Sequence, residues 1–290
     1  MISSYPIDKP DLSKLTSVSP SGVDERKIHK LLRDALPPSE NATNVIRERA
    51  SSGIGAGTVT LFCRLGAQVA ITGRNVDNLA KTAAECKKEN GKLPFTLSGD
   101  LTKEDFAKQL VEETVKYYGK LDILVNNAGI LQSGSIETTS LEQYDEGMNI
   151  NVRAIYHLTM LAVPHLVKTK GNIVNVSSIA GIRAIAGCLS YCMSKSAIDQ
   201  FTKCTAIELA PKQVRVNSVN PGVIITNIFK TCGLDEKEFL EHSRTTHPLG
   251  RSGEVEEVAN AIAFLASESA SFITGVQLPI DGGRHAPCPQ

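Results

Sequence analysis

The chain has 290 residues, 41% of them hydrophobic, and its 31 basic and 31 acidic side chains cancel. A neutral balance gives no electrostatic reason to expect nucleic acid or an acidic membrane surface as a partner. Aromatic platforms for stacking bases are sparse, and no run of about 18 apolar residues is available to span a bilayer.

Residues 1–43, rich in Ser, Pro and Asp, read as a flexible extension, with one short amphipathic stretch at Ile28–Leu36 stopped by Pro37-Pro38. Its acids (Asp8, Asp11, Asp24, Glu25) argue against a mitochondrial leader. Asn44-Val45-Ile46-Arg47-Glu48 stands where a first strand belongs but carries charge. The glycine-rich Ser51-Ser52-Gly53-Ile54-Gly55-Ala56-Gly57 follows, predicted to feed a helix over Thr58–Leu65. Strands are then predicted at 66–72, 93–97, 121–129, 171–178, 214–222 and 276–280. Helices are predicted at 76–90, 103–118, 142–167, 190–210 and 255–266. This alternation implies right-handed crossovers and a doubly wound parallel sheet, Rossmann-type, in three α/β/α layers. One domain spans 44–285, with a substrate lid near 226–251. Seven cysteines, odd in number and without CxxC or zinc-like spacing, read as reduced thiols of a cytoplasmic protein, with Cys63 and Cys204 on apparent core faces. No metal site is expected.

In such sheets ligands bind beyond the carboxyl ends of the strands, and the chemistry-bearing residues fall there. Ser51, Ser52, Gly53, Ile54 and Gly55 would let a backbone approach a pyrophosphate at a helix N-terminus, although tight turns need glycine for their own reasons. After the second strand, Gly73-Arg74 replaces the acid that would hold the ribose 2′-hydroxyl of NAD. A guanidinium matches a 2′-phosphate, which favours NADP(H) over NAD(H); the plainer reading is a solvent-exposed loop arginine. Tyr191 and Lys195 lie four apart, so a helix puts them on one face, where an ammonium lowers a phenol pKa and makes a general acid/base. The same spacing also arises by chance.

Tyr191-x-x-x-Lys195, Ser178 upstream of it, Asn126-Asn127-Ala128-Gly129 after a strand, and the glycine turn together resemble the short-chain dehydrogenase/reductase family, from about Ala50 to Gly283. The resemblance, which extends to β-ketoacyl reductase-like members, implies a carbonyl–alcohol oxidoreductase using a small-molecule substrate. It implies Ser178, Tyr191, Lys195 and Asn151 as the catalytic set, with Ser177 and Asn149 as the neighbours that compete for two of those roles. It implies Asp100 and Leu101 against the adenine, and Asn127, Ala128 and Gly129 beside the cofactor, with Asn127 steadying the sheet. Pro221, Gly222, Ile224 and Thr226 would hold the nicotinamide carboxamide. It further implies a homo-oligomer, tetramer or dimer, built through helices 142–167 and 190–210 and the last strand with its preceding helix. Ile185 and Leu189 would line the substrate pocket.

One stretch departs from the family pattern. Glu48 and Arg49 occupy the threonine and first glycine of Thr-Gly-x-x-x-Gly-x-Gly, and everything before Ala50 is foreign to it. Ionised side chains in a central strand are costly unless paired. An abrupt change of this kind reads as a chimeric junction, from an alternative or mis-predicted first exon. The competing reading is therefore a cofactor-deficient scaffold or binding protein on the same fold, with a sheet exposed where its first strand is lost.

Overall fold

The computed structural model describes residues 44–48, 50, 52–226 and 235–286. The expected extension, Arg49, Ser51 and residues 227–234 of the expected lid lie outside the described residues. Among the described residues the strands are β1 (Asn44–Arg47), β2 (Gln68–Gly73), β3 (Phe95–Ser98), β4 (Ile123–Asn126), β5 (Asn172–Val176), β6 (Arg215–Pro221) and β7 (Gln277–Ile280). They form one parallel sheet in the order β3-β2-β1-β4-β5-β6-β7. The helices are α1 (Gly53–Arg64), α2 (Val76–Asn90), α3 (Glu104–Tyr118), α4 (Leu141–Met148), α5 (Ala154–Thr169), α6 (Ile179–Ile182), α7 (Leu189–Leu209), α8 (Glu236–Thr246) and α9 (Val255–Ala266). Strand order reverses between β1 and β4, which opens a crevice at their carboxyl ends.

The first strand is present and central. Val45 pairs with Val69 of β2 and Ile123 of β4, so neither edge of β1 is exposed. Its short apolar pair serves both faces of the sheet. Val45 packs with Val59, Phe62 and Ile71, and Ile46 with Ala70, Leu124 and Leu158. The acid does not fall in mid-strand, because the strand ends at Arg47 and Glu48 lies one residue beyond it, buried at the floor of the crevice.

Helix α1 begins at Gly53, five residues before its predicted start. Gly57 therefore belongs to the helix, where it serves packing. A Cβ there would lie 2.2 Å from Val255 Cγ1, and its absence lets α1 lie close against α9, with Leu61 and Leu65 meeting Ala259 and Ala263. Helices α2 and α9 run as predicted because their ends carry local signals. The Asn75 side chain accepts the Asn78 N–H, and Glu254 and Glu257 form a reciprocal capping box. The long helix expected at 142–167 is broken by one π-helical turn at Asn149–Arg153. Cys204 is exposed rather than in the core, whereas Cys63 is buried. No helix among the described residues is long and apolar enough to cross a membrane.

Candidate active site

Beyond β1 and β4 a cleft of about 230 Å³ opens. Arg74, Asp100 and Leu101 line it from the β2 and β3 side, and Ala128 and Gly129 from β4, so these five expected cofactor contacts converge. Burial pushes the Asp100 carboxyl up, but bonds from the Thr102 N–H and hydroxyl, with Arg74 and Lys103 nearby, leave it below its ordinary value. Asp100 and the Arg74 guanidinium thus line the same side of the cleft as opposite charges. Asn149 lines the same cleft, which separates it from Asn151.

At the cleft floor, Glu48 is 1% exposed and its Oε1 accepts the Asn127 backbone N–H at 3.0 Å. A carboxylate at the threonine position therefore still anchors the turn after β4. The sheet-steadying side chain, assigned from the sequence to Asn127, is that of Asn126. Its Nδ2 donates to Thr159 Oγ1 and to Asn175 Oδ1, tying β4 to α5 and β5.

The glycine turn is short. Gly53 has φ of +54°, in the left-handed region, and a Cβ on it would meet Thr226 Cγ2 at 3.1 Å. Ser52, the N-cap of α1, makes no side-chain capping bond, and the first turn of this twelve-residue helix holds no acid. Its N–H groups and positive dipole end are open toward an anion. Ile54 packs against the core and Gly55 is buried.

The π turn carries Asn151 inward. Its Oδ1 accepts the Ile130 N–H at 2.8 Å, and its Nδ2 reaches the Ile130 carbonyl and Ser194 Oγ, both at 3.0 Å. The Ser194 hydroxyl in turn donates to the Tyr191 carbonyl. Lys195, 4% exposed, donates from Nζ to the Val176 carbonyl at 3.0 Å and lies 5.7 Å from the centre of the Tyr191 ring. A Cβ on Gly129 would stand 3.2 Å from Lys195 Nζ and 3.5 Å from Asn151 Oδ1. The turn after β4, the π turn and α7 therefore converge on one point.

Ser178 follows β5 and caps α6, its Oγ accepting the Ala180 N–H at 3.1 Å and facing the Pro221 carbonyl at 3.5 Å. Its neighbour Ser177 donates to the Lys195 carbonyl. Gly222 must be glycine, because a Cβ would stand 2.9 Å from both Asp281 Cβ and His247 Nε2. Sequence reasoning missed His247: its Nε2 accepts the Val223 N–H while Nδ1 lies 2.7 Å from the Ser243 carbonyl. It ties the turn after β6 to α8, and no motif marks it. Ile224 is buried and bridges to Gly253, and Thr226 closes over Gly53.

The family profile described as enoyl-(acyl carrier protein) reductase matches residues 49–285. The chain belongs to the short-chain dehydrogenase/reductase family. It is 40% identical over 236 residues to a 3-oxoacyl-(acyl-carrier-protein) reductase, FabG, of Thermotoga maritima, covering 81% of this chain and 94% of that one. It is 39% identical over 235 residues to a cyclopentanol dehydrogenase of Comamonas testosteroni, covering 81% and 93%. A short-chain type dehydrogenase/reductase from Mycobacterium marinum superposes with a TM-score of 0.81 at 30% identity, covering 89% of this chain and all of that one. Short-chain dehydrogenase/reductases use nicotinamide cofactors and interconvert carbonyls and alcohols. The residues in place fit such a dinucleotide. The N-terminus of α1 and the Gly53 turn suit its diphosphate, Arg74 and Asp100 line the cleft, and Gly129, lacking a Cβ, leaves room beside Lys195 Nζ and Asn151 Oδ1. Glu48 adds a further carboxyl group to a cleft that Asp100 and Glu146 also line.

Proposed function

We propose that this chain is an NADP(H)-dependent reductase of a small carbonyl compound. The observation that carries the reading is the convergence of Lys195 and Asn151 at Gly129, with the Tyr191 ring 5.7 Å from Lys195 Nζ and Arg74 lining the cleft that Gly129 borders. The bound cofactor would supply the hydride. Tyr191 donates its proton to the carbonyl oxygen, and the Ser178 hydroxyl hydrogen-bonds that oxygen as negative charge develops on it. Lys195 favours the phenolate form left behind and binds the nicotinamide ribose. Asn151, held on both its polar atoms, fixes the Ile130 backbone and borders the path by which Lys195 and Tyr191 recover a proton through water. Ser51, Ser52, Gly53, Ile54 and Gly55 cradle the diphosphate; Arg74 takes the 2′-phosphate; Asp100 and Leu101 flank the adenine. Asn127, Ala128 and Gly129 border the cofactor, and Pro221, Gly222, Ile224 and Thr226 orient the carboxamide.

The test is NADPH-dependent reduction of a panel of carbonyl compounds, with thermal shift by NADPH and NADH alongside. Stabilisation by NADPH together with turnover supports the reading, and turnover with neither cofactor sinks it. Arg74→Asp exchanges a bidentate partner of the 2′-phosphate for a like charge. It should weaken NADPH binding by about 10- to 100-fold, the usual scale for truncating a charge-assisted pair, and improve NADH. An unchanged ratio of the two affinities would show Arg74 to be a bystander.

The cysteine pattern, seven residues without CxxC or zinc-like spacing, is the ground for placing the protein in a reducing, cytoplasmic setting. Tyr156 and Met160 on α5 and Ile207 on α7 are exposed by more than half, which supports a homo-oligomer, a dimer or tetramer, built through these helices. Met160→Glu with Ile207→Glu should shift the particle toward monomer in light scattering after gel filtration. A particle of unchanged mass would place the interface elsewhere.

A further inference from the structure

The carboxylate of Asp199 is 4% exposed and has no part in the mechanism above. It follows Tyr191 and Lys195 at successive helical turns of α7, on the face turned toward the sheet. Asn220, near the end of β6, donates from Nδ2 to Asp199 Oδ1 and Oδ2 at 3.0 and 2.9 Å, and the same Nδ2 lies 2.9 Å from the Ser178 carbonyl. Ser218 Oγ lies 3.4 Å from Asp199 Oδ1. Gly181 of α6 leaves room for the carboxylate, since a Cβ there would stand 2.2 Å from Asp199 Oδ2 and 2.8 Å from the Lys195 carbonyl. Burial pushes the Asp199 carboxyl up, against the opposing pull of Asn220, Ser177, Lys195 and Ser218.

We propose that Asp199 is a positioning residue: through Asn220 it locks the Ser178 backbone to the Tyr191–Lys195 helix, so that the serine and the tyrosine address one oxygen atom. This inference rests on the reductase reading. Three elements that carry reacting groups or their supports, α7, β6 and the segment from β5 into α6, meet at this one carboxylate. Direct bonds join α7 to the β5 segment, Ser177 Oγ to the Lys195 carbonyl and Lys195 Nζ to the Val176 carbonyl, and the carboxylate adds the tie from α7 to β6. Without the acid, the Asn220 amide keeps only the Ser178 carbonyl and the Ser218 hydroxyl only Asn220 Oδ1, so the buried cluster rearranges and carries Ser178 with it. Asp199 touches no reacting atom, so its loss acts on geometry.

The experiment compares wild type, Asp199→Ala and Asp199→Asn by steady-state kinetics and by hydrogen exchange. For Asp199→Ala, kcat should fall about 10- to 100-fold, the scale of a small misplacement of reacting groups, with KM for NADPH unchanged. Exchange should quicken in segments 177–183 and 217–222 and stay as in wild type in α9. Asp199→Asn keeps one acceptor oxygen, so it should fold and recover most of the rate. Unchanged kcat in both variants, or exchange that quickens evenly along the chain, would overturn the proposal and leave Asp199 as a stabiliser only. If the wild-type chain reduces no carbonyl compound, the reductase reading fails, while the exchange comparison still decides whether Asp199 holds the Ser178 segment.

Discussion

Tyr191→Phe is expected to lower kcat/KM for carbonyl reduction by about 10²- to 10⁴-fold, the range over which a positioned general acid acts. Phenylalanine keeps the ring and its place on α7 but removes the only proton the side chain can give. NADPH binding should be little changed, since Lys195 keeps its bond to the Val176 carbonyl and the diphosphate turn is remote from the ring. Steady-state kinetics paired with a thermal shift by NADPH reads both at once. Retention of wild-type kcat/KM by Tyr191→Phe would remove the tyrosine from the chemistry.

Glu48→Gln should tighten NADPH binding by about tenfold to a hundredfold. Glutamine keeps an oxygen for the Asn127 N–H, now held by Glu48 at 3.0 Å, and removes the negative charge from the cleft. Coulomb's law with an effective dielectric of about 20 gives roughly 1–3 kcal/mol between a carboxylate and a phosphate about 6–12 Å apart. At about 1.4 kcal/mol per factor of ten, that is the affinity change expected in calorimetric titration. Glu48→Ala behaves differently, because it strands a buried N–H and should cost about 1–3 kcal/mol of stability. Equal NADPH affinity in wild type and Glu48→Gln would mean that the cofactor does not feel this charge.

Much of this was legible in the sequence, and the parts that were not share a cause. Helices α2 and α9 have caps made by residues three apart, so their limits follow from local pattern. The helix α1 start was misplaced because glycines at 53, 55 and 57 read as one loop, whereas Gly57 is there for α9, a partner nearly two hundred residues away. The π turn has no composition of its own. It follows from Asn151 reaching Ile130 across space. Cys204 was assigned to the core from its place on a helix, but one residue's rotation decides which side it faces. Asn126 and Asn127 are adjacent and chemically alike, and only the sheet's register decides which side chain enters the core. The charged residues before Ala50 signalled a damaged first strand. Among the described residues, Val45 and Ile46 fill that place on the two faces of the sheet, and the Glu48 carboxyl accepts a backbone N–H.

The position of β1 has a consequence for how the protein is made. Of the described strands this one leaves the ribosome first, yet it belongs inside the sheet. Its partner β2 follows within a few tens of residues, but the contact on its other side, where the Asn44 N–H meets the Asp122 carboxylate, spans 78 residues of chain. Until β4 emerges, the nascent protein holds Val45 and Ile46 in a half-sheet with one open edge, a surface that chaperones and neighbouring nascent chains can also pair with. A slow-translating stretch placed between β3 and β4 would prolong that interval and lower the yield of folded enzyme, whereas the same delay after β4 would find the open edge of β1 already covered.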